Sequence, residues 1–452
     1  MKWKIAVLAL QIALAAALSG CSFVGLDAQS LMHAPRPTGE NEADIQSLLE
    51  STAGGEMTLK YPSNGEYRSA ILTHDLCGDK SEEAMAFYLK GKGDETAVGT
   101  NVMFMRKVSG KWVSMGSFSS PASQVDRVCF GDLDGNGRDD VIVGWGSSLN
   151  NTASVSAYYY RDGSMQELPV SKSYTEMTVM DFDGDGQDEI FTANVTVGDE
   201  PAAARLLRVK DGAIELMGSA PLDTGVTKYA AVHTGLINEK QQGIVLDGIK
   251  SADTMVTELL YWDKKEHALE APFYDPATKT AKSTERSTSV VSRDINGDRI
   301  IEVPIVTLMP GYSGKTSDDS AFLTTWLRYN TDANTFVRVM SMLIDYSDGY
   351  WFSVPDMWRG KITTKLDPSA RTMTVYEWIT TAKNRAGSAG KPLLILQTFT
   401  RKEWEKQRGE GSYITLAQTD SSVFAALLPS PDHPLSMTAG EVREAFQLIT
   451  QD

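Results

Sequence analysis

Histidine is scarce in this chain, and the common catalytic motifs are missing from it. The five histidines among 452 residues are scattered, without a close pair or an HExxH motif, at His33, His74, His233, His267 and His433. Their separation excludes a zinc site built on clustered histidines. The sequence also has no G-x-S-x-G nucleophile elbow and no Walker loop. It therefore predicts no catalytic residue, although its numerous carboxylates leave a glycosidase-type dyad open.

Long hydrophobic runs are confined to the N-terminus. Lys2 and Lys4 precede an apolar run over residues 5–18, which is shorter than the roughly 20 residues needed to span a bilayer and is typical of a signal peptide. The following Leu18-Ser-Gly-Cys21 resembles the bacterial lipobox, in which the cysteine is diacylated and becomes the new N-terminus. This resemblance implies a lipoprotein signal peptide over residues 1–20. The mature chain would be anchored to a cell membrane through lipid on Cys21 and would face the extracytoplasmic side.

Cysteine is also scarce, because the chain contains only three. With Cys21 carrying lipid, Cys77 and Cys129 are left in an oxidising compartment, where a disulfide can form. Their Cα atoms would have to lie within about 7 Å of each other. The sequence leaves this pairing open.

Basic residues are outnumbered by acidic ones. The chain has 43 lysines and arginines against 59 aspartates and glutamates, which gives a formal net charge of −16. A nucleic-acid partner would require a basic face that releases counterions. The composition therefore predicts no nucleic-acid partner and favours divalent cations instead.

A nine-residue acidic motif recurs between β-type stretches, and strands are predicted ahead of its complete copies at residues 125–130, 177–180 and 289–292. Complete copies begin at Asp132, Asp181 and Asp294, and reduced copies begin at Asp75 and Gly235, at a period of roughly 50 to 60 residues. Asp-Gly turns at 162–163 and 211–212 predict hairpins between the copies. Four short strands per period predict a mainly β fold, namely a β-propeller of about five four-stranded blades. A β-sandwich and a solenoid are the alternatives.

The complete copies place oxygen-bearing residues at a spacing that suits calcium. Ca²⁺ takes 6–8 oxygen ligands, and a tight loop can supply side chains at positions 1, 3 and 5, a backbone carbonyl at position 7 and an acid at position 9. The predicted ligands are Asp132, Asp134, Asn136, Arg138 and Asp140; Asp181, Asp183, Asp185, Gln187 and Glu189; and Asp294, Asn296, Asp298, Ile300 and Glu302. They predict two to three structural Ca²⁺ ions, bound most tightly by the copy with four carboxylates, which begins at Asp181. The first and fourth copies, at Asp75 and Gly235, are predicted to bind an ion weakly or not at all. An EF-hand would close at position 12 between helices and is therefore excluded.

The loop pattern D-x-D-x-[DN]-G-x-x-[DE] resembles the FG-GAP or VCBS repeats of bacterial surface proteins and of the integrin α-chain propeller. The resemblance covers roughly residues 57–345 and implies a propeller with calcium in its inter-strand loops. It implies no particular ligand, since that family serves adhesion, lectin-like and structural roles. Arg299 departs from the pattern, because it replaces the position-6 glycine that permits a left-handed turn.

The regions outside the repeats are predicted to form two further segments. Residues 21–56 predict a tether with a short helix, in which Ile45, Leu48 and Leu49 recur at helical spacing. Residues 57–61 predict a strand that would join the last blade and close the ring. Residues 346–452 predict a small α+β domain with helices over 400–407 and 439–449, the second opened by a capping box at Thr438 and Glu441.

These features predict a lipid-anchored cell-surface binding or scaffold protein whose propeller is stabilised by calcium. Its expected ligand is an extracellular protein or a glycan. The alternative is a hydrolase of envelope polymers, with its site in the propeller funnel or in the C-terminal domain. A buried, perturbed carboxylate or histidine facing a deep pocket would favour the hydrolase, and a shallow polar or aromatic face would favour the binding protein.

Overall fold

The structure is a computed structural model that describes residues 40–91, 99–147, 150–287, 289–313, 320–407 and 413–449. The predicted signal peptide (residues 1–20) and Cys21 lie outside this part of the chain. Within it, no helix combines the length and apolar character needed to cross a membrane. The first of two compact units contains the described residues up to Cys129 together with Arg138–Asn150 and Ser156–Glu167. The second contains Phe130–Gly137, Asn151–Val155 and the described residues from Leu168 onward.

Six β-sheets follow one another along the described residues. The first comprises β1 (Met57–Leu59), β2 (Ile71–His74), β3 (Glu83–Lys90), β4 (Asn101–Val108) and β5 (Lys111–Ser119). The second comprises β6 (Gln124–Gly131), β7 (Asp140–Ser147), β8 (Asn150–Arg161) and β9 (Ser164–Tyr174). The strands of the second sheet lie in chain order, whereas β1 and β2 pair with opposite halves of β3.

The third and fourth sheets are four-stranded antiparallel sheets with their strands in chain order. The third comprises β10 (Glu176–Met180), β11 (Glu189–Asn194), β12 (Ala203–Lys210) and β13 (Ala213–Pro221). The fourth comprises β14 (Lys228–Leu236), β15 (Gln242–Ser251), β16 (Thr254–Asp263) and β17 (Ala268–Glu270). A 3₁₀ turn (Lys282–Thr284) follows.

The fifth and sixth sheets are antiparallel and have five strands each. The fifth has the order β18 (Val303–Leu308), β19 (Phe322–Asn330), β20 (Thr335–Asp345), β21 (Tyr350–Ser353) and β27 (Phe446–Leu448). The sixth has the order β22 (Ile362–Asp367), β23 (Thr372–Ile379), β24 (Ser388–Thr400), β26 (Ser422–Leu427) and β25 (Ile414–Gln418). A 3₁₀ turn (Asp356–Trp358) precedes β22, and the helices α2 (Arg401–Gln407) and α3 (Ala439–Ala445) complete this region.

The N-terminal helix of the described chain is α1 (Glu40–Ala53), which forms where apolar spacing predicts a helix. Ile45 and Leu49 lie one turn apart on its buried face and are at most 1% exposed. They pack in one cluster with Tyr88 and Met105 of the first sheet. The helix is therefore held by tertiary packing of its apolar face.

The hairpins predicted from Asp-Gly turns are present between β8 and β9 and between β12 and β13. Asp162 and Gly163 have φ angles of 51° and 89°, and Asp211 and Gly212 have φ angles of 52° and 76°. Two successive left-handed residues are typical of a type I′ turn, whose twist matches that of the flanking strands. The inner strands are buried along almost their full length, as in β11 and β16.

The predicted fold class is confirmed: the chain is mainly β, with propeller-type antiparallel sheets and a small C-terminal region of helices and strands. The domain boundary predicted at residue 346 stays a prediction. Two strands that follow it, β21 and β27, belong to the fifth sheet. Trp358 and Phe424 of the C-terminal region share one hydrophobic cluster with Leu343 of that sheet.

Two local predictions about strands are wrong. The strand predicted at residues 57–61 joins the first sheet as β1, where Met57 pairs with Lys90, directly after α1. Residues 289–292, expected to be a strand, are not one, because the Ser292 N–H donates to the buried carboxylate of Asp247 at 2.7 Å. That carboxylate is also paired with Arg286 at 2.8 Å.

The last predicted helix is shorter than expected. The capping box of Thr438 and Glu441 is present, but α3 ends at Ala445 and the chain continues as β27. The reason is tertiary: the ring of Phe446 packs between those of Tyr350 and Phe424, with ring centroids 5.2 and 5.6 Å away.

Candidate calcium loops

The third copy of the acidic motif forms a tight loop between β10 and β11. Asp181, at position 1, accepts hydrogen bonds from the backbone N–H groups of positions 4, 5 and 6 at 2.6, 3.2 and 3.1 Å. Glu189, at position 9, accepts from the N–H of Phe182 at 2.8 Å. The acids at the two ends of the motif therefore fix the backbone of their own loop.

Three aspartates converge in this third loop, and their charges act on the buried Glu189. Oxygens of Asp181, Asp183 and Asp185 lie within 4.8 Å of one another, and Glu189 is 1% exposed. Burial first, and then the charges of the three aspartates, raise the pKa of Glu189 to about 8, against a hydrogen bond from the loop backbone. Among the residues that the structure describes, none of the ion pairs within 4 Å involves these four acids.

An all-oxygen donor set with this charge fits a hard divalent cation. Ca²⁺ prefers carboxylate and carbonyl oxygens, and such an ion would neutralise the negative charge of the third loop, which Lys264 beside Gly184 offsets only in part. At position 7 the N–H of Gln187 donates to Asp185 at 2.8 Å. Its carbonyl stays a predicted ligand.

The fifth copy of the motif repeats the same backbone framework. Asp294 accepts from the N–H groups of positions 4, 5 and 6 at 2.7, 3.1 and 2.7 Å, and Glu302 accepts from the N–H of Ile295 at 3.1 Å. Arg299 at position 6 has a φ of 70°, in the left-handed region that Gly186 occupies in the third loop. The loop therefore keeps its geometry without the glycine, and Arg299 carries the backbone strain that a side chain causes in the left-handed region.

An arginine from β19 lies in the fifth loop. Nη2 of Arg328 contacts Asp298 and is 3.2 Å from Oε1 of Glu302, while its Nη1 is 2.6 Å from Oε1 of Glu239. Oxygens of Asp294, Asp298 and Glu302 lie within 4.8 Å of one another. The guanidinium thus contacts two of the three acids that would bind an ion there.

The pKa values of two acids in the fifth loop reflect their contact with Arg328. Burial opposes the shift, but hydrogen bonds from Asn296, from the Ile300 N–H and from Arg328 lower the pKa of Asp298. Burial raises the pKa of Glu302, and Arg328 opposes that rise. A guanidinium and a divalent cation would repel each other at this separation, so the residues present fit calcium less well here than in the third loop.

The second copy is divided between the two units. In one unit, Asp132 accepts from the N–H groups of positions 5 and 6 at 3.0 and 2.7 Å, and Asp134 accepts from position 5 at 3.3 Å. In the other, Asp140 is 4% exposed at the start of β7, and Arg138 lies 5.7 Å from the ring centre of Tyr160.

The first copy keeps the framework even though its ligands are reduced. Asp75 accepts from positions 4, 5 and 6 at 2.7, 3.2 and 2.9 Å, and Glu83 accepts from the N–H of Cys77 at 3.0 Å. Cys77 and Cys129 are both free, and burial raises the pKa of each thiol to about 11. A neutral thiol at position 3 is a poor ligand for calcium.

The fourth copy has lost the framework. Asn238 accepts from the N–H groups of Lys240 and Gln241, both at 3.0 Å, in a short turn between β14 and β15. Weak or absent ion binding by the first and fourth copies stays a prediction.

Two structural features of the loops were not predicted from the sequence. Position 4 is left-handed in four copies, with φ between 69° and 80°, at Gly78, Gly135, Gly184 and Gly297. This signal was visible, since position 4 is glycine in each of them. Position 8 links neighbouring copies, because the N–H of Asp188 donates to the carbonyl of Asp132 and the N–H of Ile301 to that of Leu236, each at 2.8 Å.

A polar groove of about 800 Å³ borders the fifth loop in the second unit. Its lining includes Asn238, Gln241, Asp298, Arg328, Tyr329 and Arg338. A smaller recess of about 380 Å³ lies beside Met255 and Tyr346. Neither of these recesses is lined by Glu189 or by Glu258, the carboxylates whose pKa rises to about 8 and about 7.

A family model decides what the repeat is. The model of the FG-GAP-like repeat matches residues 132–192, from the first acid of the second loop into β11. The chain carries an FG-GAP-like repeat. This match confirms the resemblance over the segment that contains the second and third loops. A comparison with curated proteins finds no significant match.

Solved structures resemble the chain only distantly. A rhamnogalacturonan lyase of Bacillus licheniformis is 12% identical over 75% of this chain and 77% of its own, with a TM-score of 0.30. The Dos1 propeller is 10% identical over 69% and 65%, with a TM-score of 0.31. Sqt1 of Saccharomyces cerevisiae is 10% identical over 76% and 93%, with a TM-score of 0.28. Resemblance at these sequence identities and TM-scores supports no conclusion about function.

Proposed function

We propose that this protein is a binding scaffold whose FG-GAP-like repeats are stabilised by calcium. The third loop carries the proposal, because three aspartates converge there and their charges act on a buried glutamate, Glu189. Folding such a loop without a cation leaves mutually repelling charges in a partly desolvated position. Calcium would remove that penalty and lock the connection between β10 and β11.

Calorimetric titration with Ca²⁺ tests the proposal on residues 22–452, which are the mature chain without its lipid-bearing Cys21. We expect saturable binding whose tightest site is lost or weakened at least tenfold in Asp183→Asn, because the substitution removes one of the four charges. Asp211→Asn is the matched control, since Asp211 lies in an exposed hairpin turn of the same sheet. An absence of calcium binding by the wild-type protein would refute the proposal.

We propose further that lipid on Cys21 holds the protein at the extracytoplasmic side of a cell membrane. The support is the sequence from the basic N-terminus to the lipobox-like Leu18-Ser-Gly-Cys21. Cys21→Ala should abolish incorporation of a labelled fatty acid and move the protein from the membrane fraction to the soluble fraction. Unchanged labelling of the variant would contradict lipidation at this residue.

A binding role is favoured over hydrolysis by the character of the larger recess. The groove beside the fifth loop presents amides, hydroxyl groups and charged side chains, which suit recognition of a polar protein surface or a glycan. Of the three described acids that line it, Asp298 and Glu239 pair with Arg328, and hydrogen bonds lower the pKa of both, whereas a general acid needs a raised pKa. We therefore propose the groove as part of a recognition surface.

A further inference from the structure

An arginine recurs at one register position in three of the sheets. In the first, third and fifth sheets, Met105, Leu207 and Leu327 lie opposite the residue that follows the closing acid of the loop. The next residue along each of these strands is an arginine, namely Arg106, Arg208 and Arg328. Each of these sheets therefore places a guanidinium group level with the position-9 acid of its own loop.

The residue opposite this arginine on the following strand differs between the third and fifth sheets. Arg208 is paired in register with Glu215, and its Nη2 and Nε lie 2.8 and 2.9 Å from Oε1 of that acid. Arg328 is paired in register with Val337, which offers no charge. Directly opposed residues lie on the same face of a sheet, so Glu215 can hold its arginine away from the loop and Val337 cannot.

The first sheet also has an uncharged residue opposite its arginine. Arg106 is paired in register with Val113, but its guanidinium donates to the Tyr160 hydroxyl at 3.3 Å. An uncharged opposing residue therefore leaves the arginine available without directing it into the loop.

We infer that Arg328 is the resident cation of the fifth loop, which takes no calcium, and that an acid opposite the arginine, as in the third sheet, keeps a loop open to metal. The inference rests on the proposed calcium binding by the third loop. It replaces the predicted ion at Asp294, Asp298 and Glu302 with a positive charge that belongs to the chain.

The burial of the ion pairs supports this assignment. The side chain of Arg328 is 17% exposed and that of Glu302 is fully buried, so their attraction is screened little by solvent. Entry of calcium would require the guanidinium to leave the buried Glu302, and a buried charge separated from its partner is costly. Its other partners, Asp298 and Glu239, are 36% and 68% exposed and hold it less strongly.

The assignment has a consequence for the groove. Arg328 and Asp298 both line it, and a covalently attached cation cannot dissociate when calcium is withdrawn. The groove wall formed by the fifth loop should therefore keep its shape at calcium concentrations that empty the third loop. Recognition at the groove would then be independent of calcium, although the third loop would still depend on it.

Removal of the arginine tests the inference by calorimetric titration with Ca²⁺ on the chain of residues 22–452. Arg328→Gln should bind one more calcium ion than the wild type, because the acids of the fifth loop are then unbalanced. Arg338→Gln is the matched control, since Arg338 lines the same groove but pairs with Asp356, and it should keep the wild-type stoichiometry. A folded Arg328→Gln with wild-type stoichiometry overturns the inference.

A reciprocal exchange of the opposing residues tests the inference without removing an arginine, in case Arg328→Gln does not fold. Val337 is 47% exposed and Glu215 is on the surface strand β13, so both sites tolerate substitution. Val337→Glu should draw Arg328 away and add one calcium site. Glu215→Val should release Arg208 toward the third loop and weaken its calcium binding at least tenfold.

The outcomes separate this inference from the proposed function. Wild-type stoichiometry in Val337→Glu, or wild-type affinity in Glu215→Val, overturns the role of the opposing residue. A wild-type protein that binds no calcium refutes the proposed function. An Arg328→Gln variant that then gains a calcium site would still support Arg328 as the resident cation.

Discussion

At the scale of single residues, two buried glutamates in the second unit have raised pKa values for different reasons. Glu189 lies among three aspartates of a loop, and its position-9 role could be predicted from the spacing of the motif. Glu258 lies in the strand β16, accepts from the Asp223 N–H at 2.6 Å and is 3% exposed. Nothing in its local sequence marks it, because its burial depends on which strands surround it.

Glu258 should make stability depend on pH. Burial first, and then the charge of Asp223, raise its pKa from an ordinary value of 4.5 to about 7, while its hydrogen bonds and Lys250 oppose the rise. The folded protein therefore keeps a proton that the unfolded chain has lost between these two values. The free energy of unfolding should fall as the pH rises through this window, because the unfolded state binds fewer protons.

Glu258→Gln should remove this contribution to the pH dependence and stabilise the protein at pH 8 by about 3 kcal/mol. Urea unfolding at pH 5 and pH 8 measures both effects. Glu285→Gln is the control, because Glu285 also contacts Lys250, at 3.0 Å, but its side chain is 36% exposed. A lower urea midpoint for Glu258→Gln than for the wild type at pH 8 would show that the charged form is the stabilising one.

At the scale of elements, the features that depend on local chemistry were predictable. The Asp-Gly hairpins form where expected because the left-handed conformation they require is local to two residues. The capping box at Thr438 and Glu441 forms for a similar reason. The strand expected at 289–292 is missing because Asp247, far away in the sequence, binds its backbone.

The register between strands could not be predicted from the sequence. Arg208 and Arg328 have similar local surroundings in the sequence, each within a β-rich run. Only the pairing of Arg208 with Glu215 and of Arg328 with Val337 distinguishes a loop with unbalanced acids from one with a built-in counter-charge. By our inference, a motif that counts ligands by position therefore overestimates the affinity of the fifth loop for calcium.

At the scale of the whole molecule, the repeat period predicted both the fold class and the succession of sheets. The apolar stretches that flank each loop were retained in all five copies, including those with few ligands, which shows that the repeat is first a folding unit. The sixth sheet was harder to recognise because no acidic loop introduces it, and only isolated strands could be predicted there. The N-terminal anchor and the calcium ions stay predictions.

Thermal unfolding of the intact mature chain in millimolar Ca²⁺ and in EDTA tests the central claim most directly. A ligand that binds only the folded state stabilises it by about 2.7 kcal/mol at one hundred times its dissociation constant. We predict a melting temperature several degrees higher in calcium than in EDTA, with most of the difference lost in Asp183→Asn and retained in Asp211→Asn. Equal melting temperatures in calcium and in EDTA would contradict the account and leave the third loop as an acidic turn.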